Sequence, residues 1–368
     1  MRLVATSSVH PGAILAKAVL SDKGVVLVSD GVELSEKLLA RLGDLGVTYI
    51  YVKDPRTDDI ESGSSIDSAM KRKAVSSIEE TFTQIKKGNK LSDSIIIEKS
   101  SKSFKQIIRD LVQQINDNKD LFGILADVCT YDSYIFSHSL NVTLYSLAIG
   151  IELKLKPQEL DMLGIGAILH DVGKMKVPSE ILFKTGKLTE DEFAEIQKHA
   201  EAGFEILRRV HTLPLLAAHC AFQHHERLNG SGYPRRLVED EIHLFAKIIA
   251  VADVFDAVTS NRVYRGAMLP HEGLEILYAG SGKQFDTAVV EAFRRSVAVY
   301  PSGMMVHLND GRSGVVVRQN KGVSDRPVVR ILEKEGIPVE PFDLDLSEEL
   351  TVIVTGCEMR MPETANKI

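Results

Sequence analysis

The chain is predicted to be multidomain and mainly α: an all-α helical bundle flanked by a small N-terminal α/β module and a small C-terminal β-domain. Three observations predict this. Apolar residues recur at helical spacing through most of 120–297. Short apolar, β-branched runs bounded by turn residues occupy both ends. A polar stretch with a Gly/Ser-rich end, 54–65, reads as a linker between the first module and the rest of the chain. At 368 residues the chain is long enough for two or three domains, each with its own core. The boundaries read as 1–53, 54–119 (linker and amphipathic helices), 120–299 and 300–368.

In the first module, Val25–Val28 and Tyr49–Val52 are strand-like, and Leu34, Leu38, Leu39 and Leu42 recur as on a helix. From Ile66 to Lys87 a helical face carries Val75, Ile78, Phe82 and Ile85, with Ser76–Glu79 patterned as a capping box. After a polar break at Gly88-Asn89-Lys90, a second amphipathic helix is expected over about Phe104–Ile115. These helices either lie against the next domain or form a homodimer seam. The bundle itself is expected to hold helical stretches at Leu121–Val128, Leu140–Ile149, Leu160–Leu169, Phe193–Leu207, Leu213–Phe222, Phe245–Val258 and Leu274–Tyr278. Thr189 to Glu192 is a capping-box start. Beyond Tyr300, Met305–Leu308 and Gly314–Arg318 flank an Asp310-Gly311 turn as a hairpin. Pro327–Leu332 and Leu350–Val354 are further strands, and Pro362–Ile368 is a frayed tail.

Composition narrows the function. A net charge of -7 gives no basic field for long nucleic acid, although a small phosphate ligand needs only a local cluster. Cys129, Cys220 and Cys357 form no C-x-x-C pair and read as reduced thiols of a cytoplasmic protein. The N-terminus lacks a signal-peptide core, and no apolar run is long enough for a transmembrane helix.

The chain is organised around Gly166–Lys174, where an apolar run delivers His170-Asp171 and then Gly173 and Lys174. An imidazole beside a carboxylate can serve two metals, with the carboxylate reaching both. Gly173 suits a helix stop through positive φ, and Lys174 brings a cation to any bound anion. Of 11 histidines, seven fall between 138 and 225: His138, His170, His199, His211, His219, His224 and His225. His211 reads as a surface or capping residue, and His219 as packing or support. Asp253 lies in the apolar stretch Ile248–Asp256, where a carboxylate is costly unless paired or metal-bound. Asp256 follows on the same face. A single such histidine reads as a hydrogen-bonded core residue; five histidines and two aspartates together point to a dinuclear site. Glu226 is either a ligand or the partner that orients one. The loop Leu228–Pro234, with Gly230, Gly232, Tyr233 and Pro234, suits a nucleotide base or phosphate beside the metals.

These motifs resemble the HD-GYP family, a branch of the HD metallophosphohydrolases. The resemblance rests on His170–Lys174, His224–Pro234, and Asp253–Arg262 with Arg265, and covers about 125–297. Members hydrolyse the bacterial second messenger cyclic di-GMP. The resemblance implies an HD-type bundle with metal ligands His138, His170, Asp171, His199, His224, His225 and Asp253. It implies that Lys174 contacts phosphate, that Arg262 and Arg265 hold the dinucleotide, and that Gly230–Pro234 shapes the pocket. Relatives with a third metal use a glutamate four residues before the first histidine. Tyr134 stands there, so two divalent metals are expected, with iron or manganese suited to the ligands. The expected reaction is in-line attack by a hydroxide bridging two metals, giving pGpG, with GMP as a further product. Asp171 and Lys174 would be the catalytic side chains, with Glu226 and Asp256 behind the ligands. The competing readings are a non-hydrolytic cyclic di-GMP sensor that signals through partner proteins, and a hydrolase of another cyclic dinucleotide or of a nucleoside phosphate.

Overall fold

The computed structural model describes residues 1–21, 25–60, 67–88, 90–117, 134–184, 186–260, 268–320 and 322–360. The helical pattern Leu121–Val128, Cys129, Arg262, Arg265, the linker end 61–65, the tail from Pro362 and the Tyr134 side chain lie outside the described residues. The chain divides into two compact units. One gathers the described residues of 1–65 and 294–360, the other those of 66–117 and 134–293.

The first unit joins the two ends of the chain. Strand β1 (Arg2–Ala5) pairs antiparallel with β4 (Tyr49–Val52), and β2 (Val19–Leu20) pairs with β3 (Val26–Val28). Helix α1 (Glu36–Asp44) starts where the Ser35 hydroxyl accepts from Leu38 N–H. Val4, Leu15, Leu34, Leu42 and Ile50 bury together beneath it. The C-terminal residues form one antiparallel sheet in the order β8-β7-β6-β5-β9, made of β5 (Met305–Leu308), β6 (Arg312–Arg318), β7 (Val328–Lys334), β8 (Ile337–Asp345) and β9 (Val354–Glu358). Leu3 N–H donates to Gly303 O (2.8 Å), Ala5 N–H to Met359 O (2.6 Å), and Ile60 buries with Met305, Val315 and Leu332.

Two strand expectations need correction. The last strand starts at Val354 rather than Leu350, because Asn309 holds 351–353 as a loop, donating to Thr351 O and accepting from Ile353 N–H. Strand β8 was not expected from the sequence. Pro338 and Pro341 interrupt its pattern, and its edge position tolerates them.

The second unit is all helical. Its helices are α2 (Ser68–Lys87), α3 (Lys90–Asp117), α4 (Tyr134–Glu152), α5 (Pro157–Leu169), α6 (Ser179–Leu182), α7 (Glu190–Gln197), α8 (His199–Leu207), α9 (Leu215–Gln223), α10 (Leu244–Thr259), α11 (Pro270–Gly280) and α12 (Thr287–Ser296, to Phe293 within this unit). A 3₁₀ turn, Val172–Lys176, follows α5. Helices α5 and α10 are apolar nearly all round because the bundle covers them; Leu163 through Leu169 are all buried. Thr189 and Glu192 exchange the two hydrogen bonds of a capping box at α7.

Helices α2 and α3 lie against the bundle rather than standing free. Ile108 fills the space beside Gly164, Phe82 meets Phe136 edge-on at 6.0 Å, and Arg109 pairs with Asp161 at 3.0 Å. Helix α2 keeps the span expected over 66–87, while α3 starts earlier than expected. Asp67 caps α2, accepting from Ala69 N–H, so Ser76–Glu79 is mid-helix; α3 starts at Lys90, not Phe104. Burial of Ala74, Val75 and Ile97 carries the helices through these polar stretches.

Candidate metal centre

Helix ends and buried helix faces assemble the site. Helix α4 contributes His138. Helix α5 ends at Leu169, so His170 sits at its C-cap and Asp171 follows. Helix α8 opens with His199, α9 ends just before His224 and His225, and α10 carries Asp253 and Asp256. Each of these side chains except the partly covered His225 is buried.

Asp171 lies at the centre. Its Oδ2 faces His138 Nε2 (3.4 Å) and His170 Nε2 (3.3 Å), and its Oδ1 faces His199 Nε2 (3.4 Å) and His224 Nε2 (3.8 Å). Two groups with metal-ligand spacing therefore share this carboxylate: His138, His170 and Asp171, and Asp171, His199, His224 and His225. Asp253 flanks both, with Oδ1 at 3.2 Å from His138 Nε2 and Oδ2 at 3.7 Å from His225 Nδ1.

The ring tautomers are set by the group behind each imidazole. His170 Nδ1 donates to Ala167 O (2.7 Å), His199 Nδ1 to Ile196 O (2.6 Å) and His224 Nδ1 to Ala221 O (2.9 Å). His138 Nδ1 donates to Asp256 Oδ2 (2.6 Å). A carbonyl or carboxylate only accepts, so in a neutral ring Nε2 turns a lone pair inward. Burial keeps the His199, His224 and His225 rings neutral. It lowers His199 to about 4, and holds His224 and His225 well below the usual imidazole value. Burial alone would raise the Asp171 carboxyl, but Lys174 and His170 keep it well below the ordinary range. Asp253 is likewise held low against burial by His138 and His225.

Acceptors thus face acceptors. His199 Nε2 and His224 Nε2 stand 3.3 Å apart. The buried His170 Nε2 and Asp171 Oδ1 have no hydrogen-bond partner among the described residues. Such an arrangement is unfavourable as it stands and is resolved by cations between the groups. The donor set of neutral imidazoles and ionised carboxylates fits divalent metal ions.

The surrounding residues complete the centre. Lys174 Nζ binds Asp171 Oδ2. Asp256 orients His138 and is itself held by Asn141 Nδ2 (2.9 Å) and Ser260 Oγ (3.2 Å). Asn141 was missed from sequence; its signal was a polar amide three residues after His138, on a helix with no Lys, Arg, Asp or Glu before Glu152. Glu226 does not hold an imidazole. Its carboxylate accepts from Arg235 N–H (2.8 Å) and Leu237 N–H (3.0 Å), fastening the loop after His225. Tyr233 of that loop stacks on His225, with centroids 4.5 Å apart. Gly230 has φ +73° beside Val238, and Pro234 follows Tyr233 through a cis peptide bond.

Gly232 is glycine because a Cβ would sit 2.5 Å from the backbone of His225, Glu226 and Arg227. Gly173 needs correction in the same terms. It lies in the 3₁₀ turn without positive φ, and a Cβ there would run into the His199 carbonyl of α8. His211 is exposed, His219 packs against Phe204, and Cys220 is a buried thiol pushed up to about 12 by burial.

The family profile described as HD domain matches residues 103–289, about half of the chain. The chain belongs to the HD domain family. This HD domain chain is 35% identical over 229 residues to a cyclic di-GMP phosphodiesterase of Pseudomonas aeruginosa, covering 61% of this chain and 55% of that protein. It is 43% identical over 148 residues to the cyclic di-GMP phosphodiesterase response regulator RpfG of Xanthomonas campestris (40% and 39% covered). It is 41% identical over 156 residues to the 3'3'-cGAMP-specific phosphodiesterase 2 of Vibrio cholerae (42% and 30% covered). The chain thus spans about half or less of the length of these curated relatives. Among its described residues no helix is long and apolar enough to cross a membrane.

Proposed function

We propose that the chain is a metal-dependent phosphodiesterase of the HD-GYP branch that hydrolyses cyclic di-GMP to pGpG, with GMP as a further product. The observation that carries this reading is the Asp171 carboxylate, whose two oxygens face separate imidazole groups. In this reading His138, His170 and Asp171 would hold one divalent ion, iron or manganese, and His199, His224, His225 and Asp171 would hold a second, with the Asp253 carboxylate beside both groups. Such ions supply Lewis acidity and hydroxide near neutral pH.

The protein's own groups do the rest. Asp256 and the carbonyls of Ala167, Ile196 and Ala221 keep Nδ1 of His138, His170, His199 and His224 protonated and aim their Nε2 atoms inward. Lys174 sets its ammonium beside Asp171, where it offsets negative charge on a phosphate. Gly230, Gly232, Tyr233 and Pro234 wall the substrate pocket. Arg262 and Arg265 hold the dinucleotide in the reading drawn from the family resemblance.

The similarity to a 3'3'-cGAMP-specific enzyme supports a second reading, in which the same centre prefers another cyclic dinucleotide. The test is turnover of cyclic di-GMP and 3'3'-cGAMP by anaerobically purified protein, with metal content measured on the same sample. Turnover of cyclic di-GMP with close to two metals per chain, lost in Asp171→Ala, is expected. Two bound metals without product from either substrate would refute hydrolysis and favour a sensor.

A further inference from the structure

The 3₁₀ turn Val172–Lys176 carries two lysines, each gripping a carboxylate. Lys174 Nζ binds Asp171, the carboxylate shared by both imidazole groups. Lys176 Nζ lies 2.8 Å from Oδ2 of Asp93, which is fully buried in the first turn of α3. The same ammonium donates to Ile85 O (2.8 Å) and Gly88 O (3.5 Å), carbonyls at the C-terminal end of α2. One cation thus closes the α2–α3 hairpin, meeting carbonyls at one helix end and a buried carboxylate at the next helix start. Between the lysines' attachments, Gly173 packs onto the α8 backbone at His199 with no room for a Cβ.

We propose that Asp93 and Lys176 form a positioning pair for the reaction, through which the α2–α3 hairpin sets where the turn holds Lys174 and Asp171. This rests on the reading of the centre as a phosphodiesterase site. Neither residue touches substrate or metal. Their effect travels through a five-residue turn pinned at Asp171, at the His199 backbone and at Asp93. Because the turn is closely packed, loss of the Asp93 contact shifts the turn rather than leaving a gap.

The deciding variants are Asp93→Asn, which keeps the shape and removes the charge, and Lys176→Gln, which changes the more exposed partner. Lys176→Arg serves as the conservative control. Steady-state kinetics, metal content and amide hydrogen exchange over 172–177 are measured on each. The expected result is a fall in kcat of about 10-fold or more in the first two variants, with KM and metal content unchanged. Exchange over 172–177 quickens in the chelator-treated protein while that of α10 stays fixed, and Lys176→Arg recovers most of the rate. Unchanged kcat and exchange with only a lower Tm would overturn the proposal. So would a kcat loss that merely follows lost metal. A wild-type protein that holds metal but cleaves no cyclic dinucleotide would refute the phosphodiesterase reading alone, because the exchange measurement still decides whether the pair positions the turn.

Discussion

Each unit buries charge, and the two do it differently. In the first unit Asp54 accepts from Arg56 at Nη2 (3.2 Å) and backbone N–H (3.1 Å), with buried Arg2 Nη1 at 3.8 Å. Carboxylate is met by guanidinium. In the second unit, imidazole Nε2 atoms and carboxylate oxygens face one another around Asp171, with Lys174 the cation bonded to it. A cluster of opposite charges staples a fold; a cluster of acceptors in want of cations is built to bind them.

The largest expected effect breaks the second cluster at its centre. Asp171→Ala should cost at least about 10³-fold in turnover, several kcal/mol of transition-state stabilisation, in assays of cyclic di-GMP cleavage. Helical circular dichroism should stay near the wild-type value. Removing metal should come next. With metal at about 100 times its Kd, chelation should lower stability by about 2.7 kcal/mol, seen as a fall in Tm that added metal reverses. No change in Tm would mean that no ion binds the folded state preferentially.

Asp256→Asn probes the support behind His138. An amide in place of the carboxylate weakens the grip on Nδ1, and metal affinity should fall about 10- to 100-fold in competition titrations. The smallest effect belongs to the first unit. Arg56 is partly exposed and Arg2 remains, so Arg56→Ala should destabilise by about 1 kcal/mol in urea melts and leave metal content untouched. The sign with pH is determined as well. Burial raises the Asp54 carboxyl, but Arg56 and Arg2 outweigh it and leave it below its ordinary value. Its contribution is therefore full above about pH 4 and is lost as pH falls through the lowered value; Arg56→Ala should flatten that dependence.

Much of the candidate site was legible because the residue types it gathers stand out within short windows. His170-Asp171, His224-His225 and Asp253 stand out as polar groups in apolar helical stretches, where burial without a partner is costly. The roles of particular neighbours were less legible. Glu226 follows His224-His225 in sequence, yet its carboxylate turns to the backbone of Arg235 and Leu237. Asn141 was overlooked because an amide on a helix face has no meaning until Asp256 lies opposite it, 115 residues away in the chain.

The sequence by itself determined the helical bundle, the capping box at Thr189, the hairpin around Asp310-Gly311 and the residue types of the centre. These depend on periodicity, turn chemistry and burial cost within short windows. Only the tertiary structure decided that Asp171 stands between two imidazole groups, that α2 and α3 lie on the bundle, and that both chain ends share one unit. It also decided why Gly173 and Gly232 have no side chain. Each meets backbone that is distant in sequence or folded back by a loop, and such approaches arise only when packed elements bring separate segments together.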